Sequence, residues 1–259
     1  MMVQTTVICS LYIYTGDEAR KKITQDWYEG IIKTAGEDFK LLMIDDSSDE
    51  DVSEIIKFIQ PRGYCKEVTF LKSNKREGKA IKLNQLIQRV DTRFVAVVDN
   101  DISLPDTWLT RCVHLASFDK IAVCGVLVQD KLKGGDTYTI LDDPEHEGAV
   151  FHLPMYLGGA CLVWEKKKLN DHGYFEESFG LYGHEDNEFL IRVNAVIGCI
   201  AALTIRGSHI ESPDDSPKYK LWKKLQHDKG SLQALKVIDG HRKTITDEGQ
   251  EGSDRWLQT

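Results

Sequence analysis

Apolar runs alternate with amphipathic stretches over the first half of the chain. The runs predict strands, and the stretches between them carry apolar residues at helical spacing and predict helices. The predicted strands are Val7–Tyr14, Phe39–Ile44, Val68–Leu71 and Phe94–Val98, and the predicted helices are Asp17–Ala35, Asp49–Ile59 and Lys79–Val90. Short apolar strands joined by helices are typical of a parallel sheet that helices cover on both faces. The pattern therefore predicts an α/β fold.

The regular alternation ends after Asp101, although further elements follow. Pro105 suits the first turn of a helix. Later elements are predicted at Ile121–Val128, Ala160–Trp164 and Cys199–Ile205 for strands and at Glu185–Val196 and Lys218–Val237 for helices. Residues 131–148 lack periodicity and predict a long loop of the functional or mobile kind. The polar tail from Gly240 is expected to fray.

Composition narrows the class of protein. Of the 259 residues, 41% are hydrophobic and 29% are charged, which is ordinary for a globular chain and excludes disordered and collagen-like classes. The 33 basic and 41 acidic residues give a net charge of −8, so the molecule as a whole does not attract nucleic acid or an anionic membrane. The apolar run 195–205 is too short to cross a bilayer, and the first strand does not resemble a secretion signal. Six dispersed cysteines favour a reduced, cytoplasmic setting.

The strand Phe94–Val98 ends in two carboxylates, Asp99 and Asp101, which flank Asn100. Ligands of open α/β sheets bind beyond the carboxyl ends of the strands, so these acids are placed to meet one. A divalent cation between them would bridge to a diphosphate, and oxygen ligands favour Mg²⁺ or Mn²⁺. The alternative is an Asp-Asn turn that caps the helix after Pro105.

A second acidic strand end, Asp45-Asp46, follows Phe39–Ile44. A carboxylate there can accept a hydrogen bond from the imide N–H of uracil or thymine, but Ser48 or Asp49 would equally cap the next helix. The loop from Asn74 to Asn84 carries cations that suit a phosphate or a nucleobase, or simply a solvated surface.

Two later segments add candidate chemistry. Gly158-Gly159 precedes a predicted strand, and Glu185-Asp186 begins a predicted helix. The helix dipole and free N–H groups keep a carboxylate at such a position ionised, as a general base near neutral pH requires. An ordinary acidic helix start is the alternative.

In this order, the segments resemble the GT-A nucleotide-sugar glycosyltransferases, especially family 2, over roughly residues 3–210. The resemblance implies a GT-A, Rossmann-like fold with a mostly parallel central sheet flanked by helices. It implies one domain over residues 1–239, with a nucleotide-binding half at 1–104, an acceptor-binding half with a C-terminal helix at 105–239, and a polar tail at 240–259. The segment around Glu185-Asp186 also looks like the G-x-E-D segment of galactosyltransferase-type enzymes, which places a further metal-binding His downstream.

The resemblance also implies roles for individual residues. A nucleotide diphosphate sugar, most simply UDP-linked, would bind with its base at Asp45 or Asp46 beside Ser10 and Tyr12. The remaining nucleotide contacts are expected at Lys79, Asp99 and Asn100, and Mn²⁺ or Mg²⁺ at Asp101, Asp99 and His209. Asp186 would be the base, with Glu185 and Gly158-Gly159 on the acceptor side. Inversion of configuration is expected, and the absence of a Q-x-x-R-W motif favours a non-processive enzyme.

Other functions stay open. A nucleotidyltransferase of similar fold would also pair acids with a metal, although the first strand lacks the glycine-rich signature of that class. A non-catalytic carbohydrate or nucleic-acid binding module is favoured by Lys218–Lys224, which mixes lysines with Tyr219 and Trp222. A solvated amphipathic helix explains the same segment. The acceptor could be a saccharide, a protein or a modified nucleic acid.

Overall fold

The computed structural model describes residues 2–128, 138–140, 148–151, 157–210 and 217–249. The strands in these ranges are β1 (Thr5–Leu11), β2 (Phe39–Asp45), β3 (Cys65–Lys72), β4 (Phe94–Val98), β5 (Ile102–Ser103), β6 (Ile121–Val128), β7 (Tyr138–Ile140), β8 (Gly148–Phe151), β9 (Cys161–Glu165) and β10 (Cys199–His209). The helices are α1 (Ala19–Thr34), α2 (Ser53–Phe58), α3 (Lys79–Arg89), α4 (Trp108–Ala116), α5 (Lys166–Leu169), α6 (Glu185–Val196) and α7 (Pro217–Gly249), with a 3₁₀ helix at Glu177–Phe179.

The strands form one mostly parallel sheet, as predicted. Their order is β3-β2-β1-β4-β9-β6-β10-β8-β7, and β5 pairs with β10. The chain builds outward from β1 through β2 to β3 and then returns to place β4 on the other side of β1. This reversal creates a switch point between β1 and β4, where open α/β sheets bind their ligands.

Strand β9 runs antiparallel between β4 and β6. Its first residue, Cys161, pairs with Val98 at the end of β4, and the Asp99 N–H donates to the Ala160 carbonyl at 2.8 Å. Because β9 is antiparallel, its beginning lies at the same sheet edge as the carboxyl ends of the parallel strands. The glycine pair Gly158-Gly159 therefore lies beside the acidic end of β4.

Two apolar layers cover the sheet. On one face, Val7, Cys9 and Leu11 of β1 belong to the core that includes Trp27 of α1, and on the other Ile8 belongs to a second core. The second core contains residues of α3, α6 and β9. Both faces of β1 are thus buried at its centre, which explains the apolar run Val7-Ile8-Cys9 there.

Several predicted boundaries are wrong. Strand β3 starts at Cys65, and β10 continues to His209 because its end pairs with β5. The predicted loop at 131–148 contains β7 and the first residue of β8, and its other residues lie outside the described ranges. Helix α7 continues to Gly249, into the predicted tail, because no proline interrupts it. Residues 250–259 lie outside the described ranges.

Two further observations bear on the sequence predictions. No helix in the described part of the chain is long and apolar enough to cross a membrane. The five cysteines whose side chains are described, Cys9, Cys65, Cys112, Cys124 and Cys161, are buried free thiols. The cytoplasmic setting stays a prediction.

Candidate active site

A cavity opens at the carboxyl ends of β1 and β4, at the switch point of the sheet. We call it the donor cavity. Its walls come from β1, α1, the loops before α3 and α6, the end of β4, β10 and α7. They comprise Ser10, Tyr12, Arg20, Asp46, Arg76, Lys79, Asp99, Asn100, Asp101, Leu181, Tyr182, His209, Tyr219, Trp222 and Lys223. The predicted nucleotide and metal residues therefore lie together here, with the exception of Asp45.

Asp45 and Asp46, the β2 acidic pair, are held by backbone hydrogen bonds. Asp45 Oδ1 accepts from the backbone N–H of Ser48 at 3.0 Å and from its hydroxyl at 2.6 Å. The two oxygens of Asp46 accept from the backbone N–H groups of Glu77 at 2.9 Å and Gly78 at 2.8 Å. Burial raises the pKa of Asp46, and these two N–H groups oppose that shift. Asp46 thus fastens the end of β2 to the loop before α3.

Asp99 and Asp101, the β4 acidic pair, instead face charged side chains. Lys79 Nζ lies 2.7 Å from Asp99 Oδ1, and Arg20 Nη1 lies 2.8 Å from Asp101 Oδ2. Burial acts to raise the pKa of Asp101, but the positive charges of Lys223 and Arg20 outweigh it and hold the pKa below its ordinary value. Asp101 is therefore ionised at neutral pH.

His209 lies close to the β4 acidic pair. It is the last residue of β10 and pairs with Ile102 of β5, so the prediction that it follows the strand is wrong. In the described ranges, no three His, Cys, Asp or Glu side chains form a ready metal cluster. Two carboxylates and an imidazole on one cavity wall nevertheless fit Mn²⁺ or Mg²⁺ chemically, since a diphosphate supplies further oxygen ligands.

Tyr12, Arg76 and Trp222 lie together at one end of the donor cavity. The Arg76 guanidinium carbon lies 3.5 Å from the Tyr12 ring centroid and 4.1 Å from that of Trp222. Tyr12 in turn donates its hydroxyl hydrogen to Asp49 Oδ2 at 2.8 Å. Arg76 Nη2 is buried without a hydrogen-bond partner among the described residues. A planar group with an oxygen acceptor could pack against these side chains and accept a hydrogen bond from Arg76 Nη2.

Ser10 and Asn100 complete the predicted nucleotide contacts. Ser10 is half-buried near the end of β1. The Asn100 side-chain amide donates to Thr24 Oγ1 of α1 at 2.7 Å, so α1 fixes its orientation at the cavity wall.

A second cavity adjoins the first on the side of β9 and α6, and we call it the acceptor cavity. Lys79, Asp99 and Tyr182 line both. The acceptor cavity is completed by Gly158, Gly159, Ala160, Gly183, His184, Glu185, Asp186, Asn187 and His227. The predicted acceptor residues are therefore gathered in one place, next to the β4 acidic pair.

Asp186 lies in the first turn of α6 and faces the start of β9. Its Oδ2 accepts from the backbone N–H of Gly159 at 2.8 Å. A Cβ atom at position 159 would lie 2.5 Å from the Asp186 Cβ, so only glycine permits this approach. The backbone N–H of Asn187 donates to Oδ1 at 2.9 Å, so both carboxylate oxygens are held at the cavity wall.

Glu185 is buried behind Asp186. Burial raises its pKa, while Lys79, whose Nζ lies 3.5 Å from Glu185 Oε1, opposes the shift. Burial also acts against the charge of Lys79, but Asp99, Glu185 and Asp186 outweigh it and raise the Lys79 pKa well above its ordinary value. Lys79 is therefore a permanent cation shared by the two cavities.

Helix α7 packs against the turn that precedes α6. The ring centroids of His184 and His227 are 4.1 Å apart, and His184 Nε2 lies 3.2 Å from Ser231 Oγ. His184 has a φ of 72°, which is unusual for a residue with a side chain. Contacts from α7 hold this strained turn in place next to Asp186.

Sequence reasoning missed part of the donor cavity. Arg20 lies in a helix that is predicted from its apolar spacing alone, and the structure shows that its guanidinium pairs with Asp101. Tyr219, Trp222 and Lys223 were assigned to a separate binding surface or a solvated helix, and they line the donor cavity instead.

Comparisons with known proteins identify the family of the chain and its fold. The family model described as glycosyl transferase family 2 matches residues 13–175. A comparison with curated protein sequences gives no match.

Solved structures share the fold. S. aureus TarS 1–349 superposes with a TM-score of 0.61 at 14% identity, covering 80% of this chain and 60% of TarS 1–349. GalNAc-T7 with UDP, GalNAc and Mn²⁺ superposes with a TM-score of 0.62 at 14% identity, covering 81% of this chain and 44% of the GalNAc-T7 chain. The mannosyltransferase PcManGT from Pyrobaculum calidifontis with GDP-Man and Mn²⁺ superposes with a TM-score of 0.62 at 14% identity, covering 90% of this chain and 64% of the PcManGT chain. The chain spans less than two thirds of each of these structures.

Proposed function

This chain belongs to glycosyl transferase family 2, and we propose that it moves a sugar from a nucleotide diphosphate, most simply UDP, to an acceptor hydroxyl. We propose a divalent-metal-dependent, inverting and non-processive reaction. The observation that carries the proposal is the meeting of Asp99, Asp101, Arg20 and Lys79 at the switch point, directly beside Asp186. TarS has been solved with UDP-GlcNAc, and PcManGT with GDP-Man and Mn²⁺, which supports a nucleotide-sugar donor and metal use.

The donor cavity suits a nucleoside diphosphate. Asp46, rather than Asp45, faces it, and each of its oxygens has a second lone pair to accept an imide N–H. Arg76 lies where it can stack on a base, as its contacts with Tyr12 and Trp222 suggest. Ser10 and Asn100 line the same cavity.

Asp101, Asp99 and His209 would hold Mn²⁺ or Mg²⁺. The bound ion would neutralise the charge that develops on the departing diphosphate. Before the donor arrives, Lys79 and Arg20 balance the negative charges of the two carboxylates. Lys79 then remains within reach of the phosphates as a cation of the protein itself.

Asp186 would take the proton of the acceptor hydroxyl. The Gly159 N–H holds one oxygen, and the first turn of α6 stabilises the negative charge. A carboxylate fixed in this way can face an acceptor on the side opposite the leaving diphosphate, which is the geometry of a single inverting displacement. Glu185, paired with Lys79, would hold the acceptor cavity in shape. The saccharide, protein or modified nucleic-acid nature of the acceptor stays open.

A panel of nucleotide sugars tests the proposal. We expect one UDP- or GDP-linked sugar to be hydrolysed slowly in Mn²⁺ or Mg²⁺ and to raise the melting temperature, with chelation abolishing turnover. Release of pyrophosphate from a nucleoside triphosphate and a sugar phosphate would instead identify a nucleotidyltransferase. Neither reaction, together with binding of an oligosaccharide or a nucleic acid, would identify a binding module.

A further inference from the structure

Helix α7 presents one face to the donor cavity and the opposite face to solvent. Tyr219, Trp222 and Lys223 line the cavity, and we call them the α7 face. Leu221 is 59% exposed, and Lys224 is also exposed. The family match ends at residue 175, well before α7, so this wall is an addition to the matched region.

The aromatic residues of the α7 face, Tyr219 and Trp222, pack next to Tyr12 and Arg76 at one end of the cavity. The Trp222 ring centroid lies 5.7 Å from that of Tyr12 and 5.8 Å from that of Tyr219, with which it is parallel within 7°. Arg76 lies against Trp222 and Tyr12, and its Nη2 lacks a hydrogen-bond partner among the described residues. This end of the cavity therefore offers flat surfaces and an unused donor.

Lys223 places the positive charge of the α7 face in the donor cavity. Lys223 Nζ lies 4.8 Å from the Tyr219 ring centroid and 5.2 Å from that of Tyr182. Lys223 lines the same cavity as Asp99 and Asp101, so its positive charge acts at the β4 acidic pair. Arg20 and Lys79 are paired with that acidic pair, whereas Lys223 packs against aromatic rings. A cation held in this way is available to an incoming phosphate.

We propose that α7 completes the donor site, with Trp222 forming the wall against which the nucleobase stacks and Lys223 binding the diphosphate. The inference deepens the proposed glycosyltransferase function and rests on it. It assigns specific donor contacts to an element beyond the matched family region. Trp222 acts on the base and Lys223 on the phosphates, so the two residues make separable contributions.

Calorimetry with UDP, GDP, uridine and guanosine in Mn²⁺ separates these contributions. Trp222→Ala is expected to raise the dissociation constants of the nucleoside and its diphosphate by about tenfold, as loss of one stacked aromatic does. Trp222→Phe should restore most of the affinity. Lys223→Ala should weaken diphosphate binding by about tenfold and leave nucleoside binding unchanged. Leu221→Ala and Lys224→Ala, on the solvent side of the same helix, should behave as wild type.

Tryptophan fluorescence gives a second readout that does not depend on turnover. Diphosphate binding should quench the wild-type signal, and Trp222→Phe should bind while losing the quench. Far-UV circular dichroism checks that each variant retains its helix content. Unchanged affinities in both Trp222→Ala and Lys223→Ala would overturn the inference, as would tighter binding by Trp222→Ala, which would show that α7 occludes the cavity. Failure of the wild type to bind either diphosphate would overturn the proposed function as well.

Discussion

Two acidic pairs end two strands of the same sheet, and they differ in what holds them. In the β2 acidic pair, Asp45 and Asp46 accept hydrogen bonds from backbone N–H groups of their surrounding loops, and the Lys82 ammonium lies farther away, 3.7 Å from Asp46 Oδ1. In the β4 acidic pair, Asp99 and Asp101 face the side chains of Lys79 and Arg20. Backbone donors belong to the folded chain and cannot leave, whereas side-chain cations can rotate away. The backbone hydrogen bonds of the β2 acidic pair stabilise a loop. The carboxylates of the β4 acidic pair can exchange their side-chain cations for a ligand.

The largest effect expected from this difference is on turnover at the β4 acidic pair. Asp101→Asn retains an oxygen for Arg20 but removes the negative charge, so transfer should fall by about 10³-fold, in the range reported for removal of a preorganised electrostatic group. The melting temperature should change little. Initial rates over a Mn²⁺ series measure this, and the exposed Asp106→Asn is the matched control. Wild-type metal-dependent turnover in Asp101→Asn would remove the pair from the donor site.

Asp186 shares a feature with each pair. Its carboxylate accepts a hydrogen bond from a backbone N–H, as in the β2 acidic pair, and it lines a cavity, as the β4 acidic pair does. Asp186→Asn keeps an oxygen for the Gly159 N–H but cannot accept the acceptor proton. Transfer should therefore fall by at least about 10²-fold while donor affinity persists. Calorimetry beside product formation separates the two quantities, with the exposed Asp171→Asn as the control. Equal loss of both would make Asp186 a binding or folding residue.

The β2 acidic pair should respond in stability. Asp46→Ala leaves the backbone N–H groups of Glu77 and Gly78 buried without an acceptor, at a cost of about 2–3 kcal/mol in the free energy of unfolding. Asp46→Asn retains one acceptor oxygen and should lose about half as much. Urea unfolding measures both. Wild-type stability in Asp46→Ala would show that the backbone contacts do not hold this loop.

The smallest expected effect concerns the imidazole beside the β4 acidic pair. His209→Ala should raise the Mn²⁺ concentration for half-maximal activity by about tenfold, the lower end for a lost contributor to a metal site. Saturating Mn²⁺ should restore most of the rate. If the Mn²⁺ dependence matches that of the wild type, His209 has a structural role in the pairing of β10 with β5.

The sequence predicts the α/β class, the inner strands and most of the donor cavity, because strand-end acids and apolar runs are local signals. It does not separate the β2 from the β4 acidic pair, since both read as carboxylates after an apolar strand. Their partners, Gly78 and Arg20 among them, are distant along the chain. Helix α7 is predicted from the sequence, but its place in the donor cavity is not, because a run of lysines and aromatics does not reveal which side meets another element.

Strand β4 has consequences for how the molecule folds. Its partners are Thr5–Ile8 of β1 and Cys161–Glu165 of β9, segments that precede and follow it at long range in the sequence. Closing loops of that length costs entropy before any contact compensates it, so central pairings of this kind form slowly. During synthesis, β1 can pair with β4 only after β4 has emerged, and the Asp99 N–H meets the Ala160 carbonyl later still. Strands β1, β2 and β3 can assemble early, whereas the donor cavity is complete only after His209 of β10 and the α7 face have emerged.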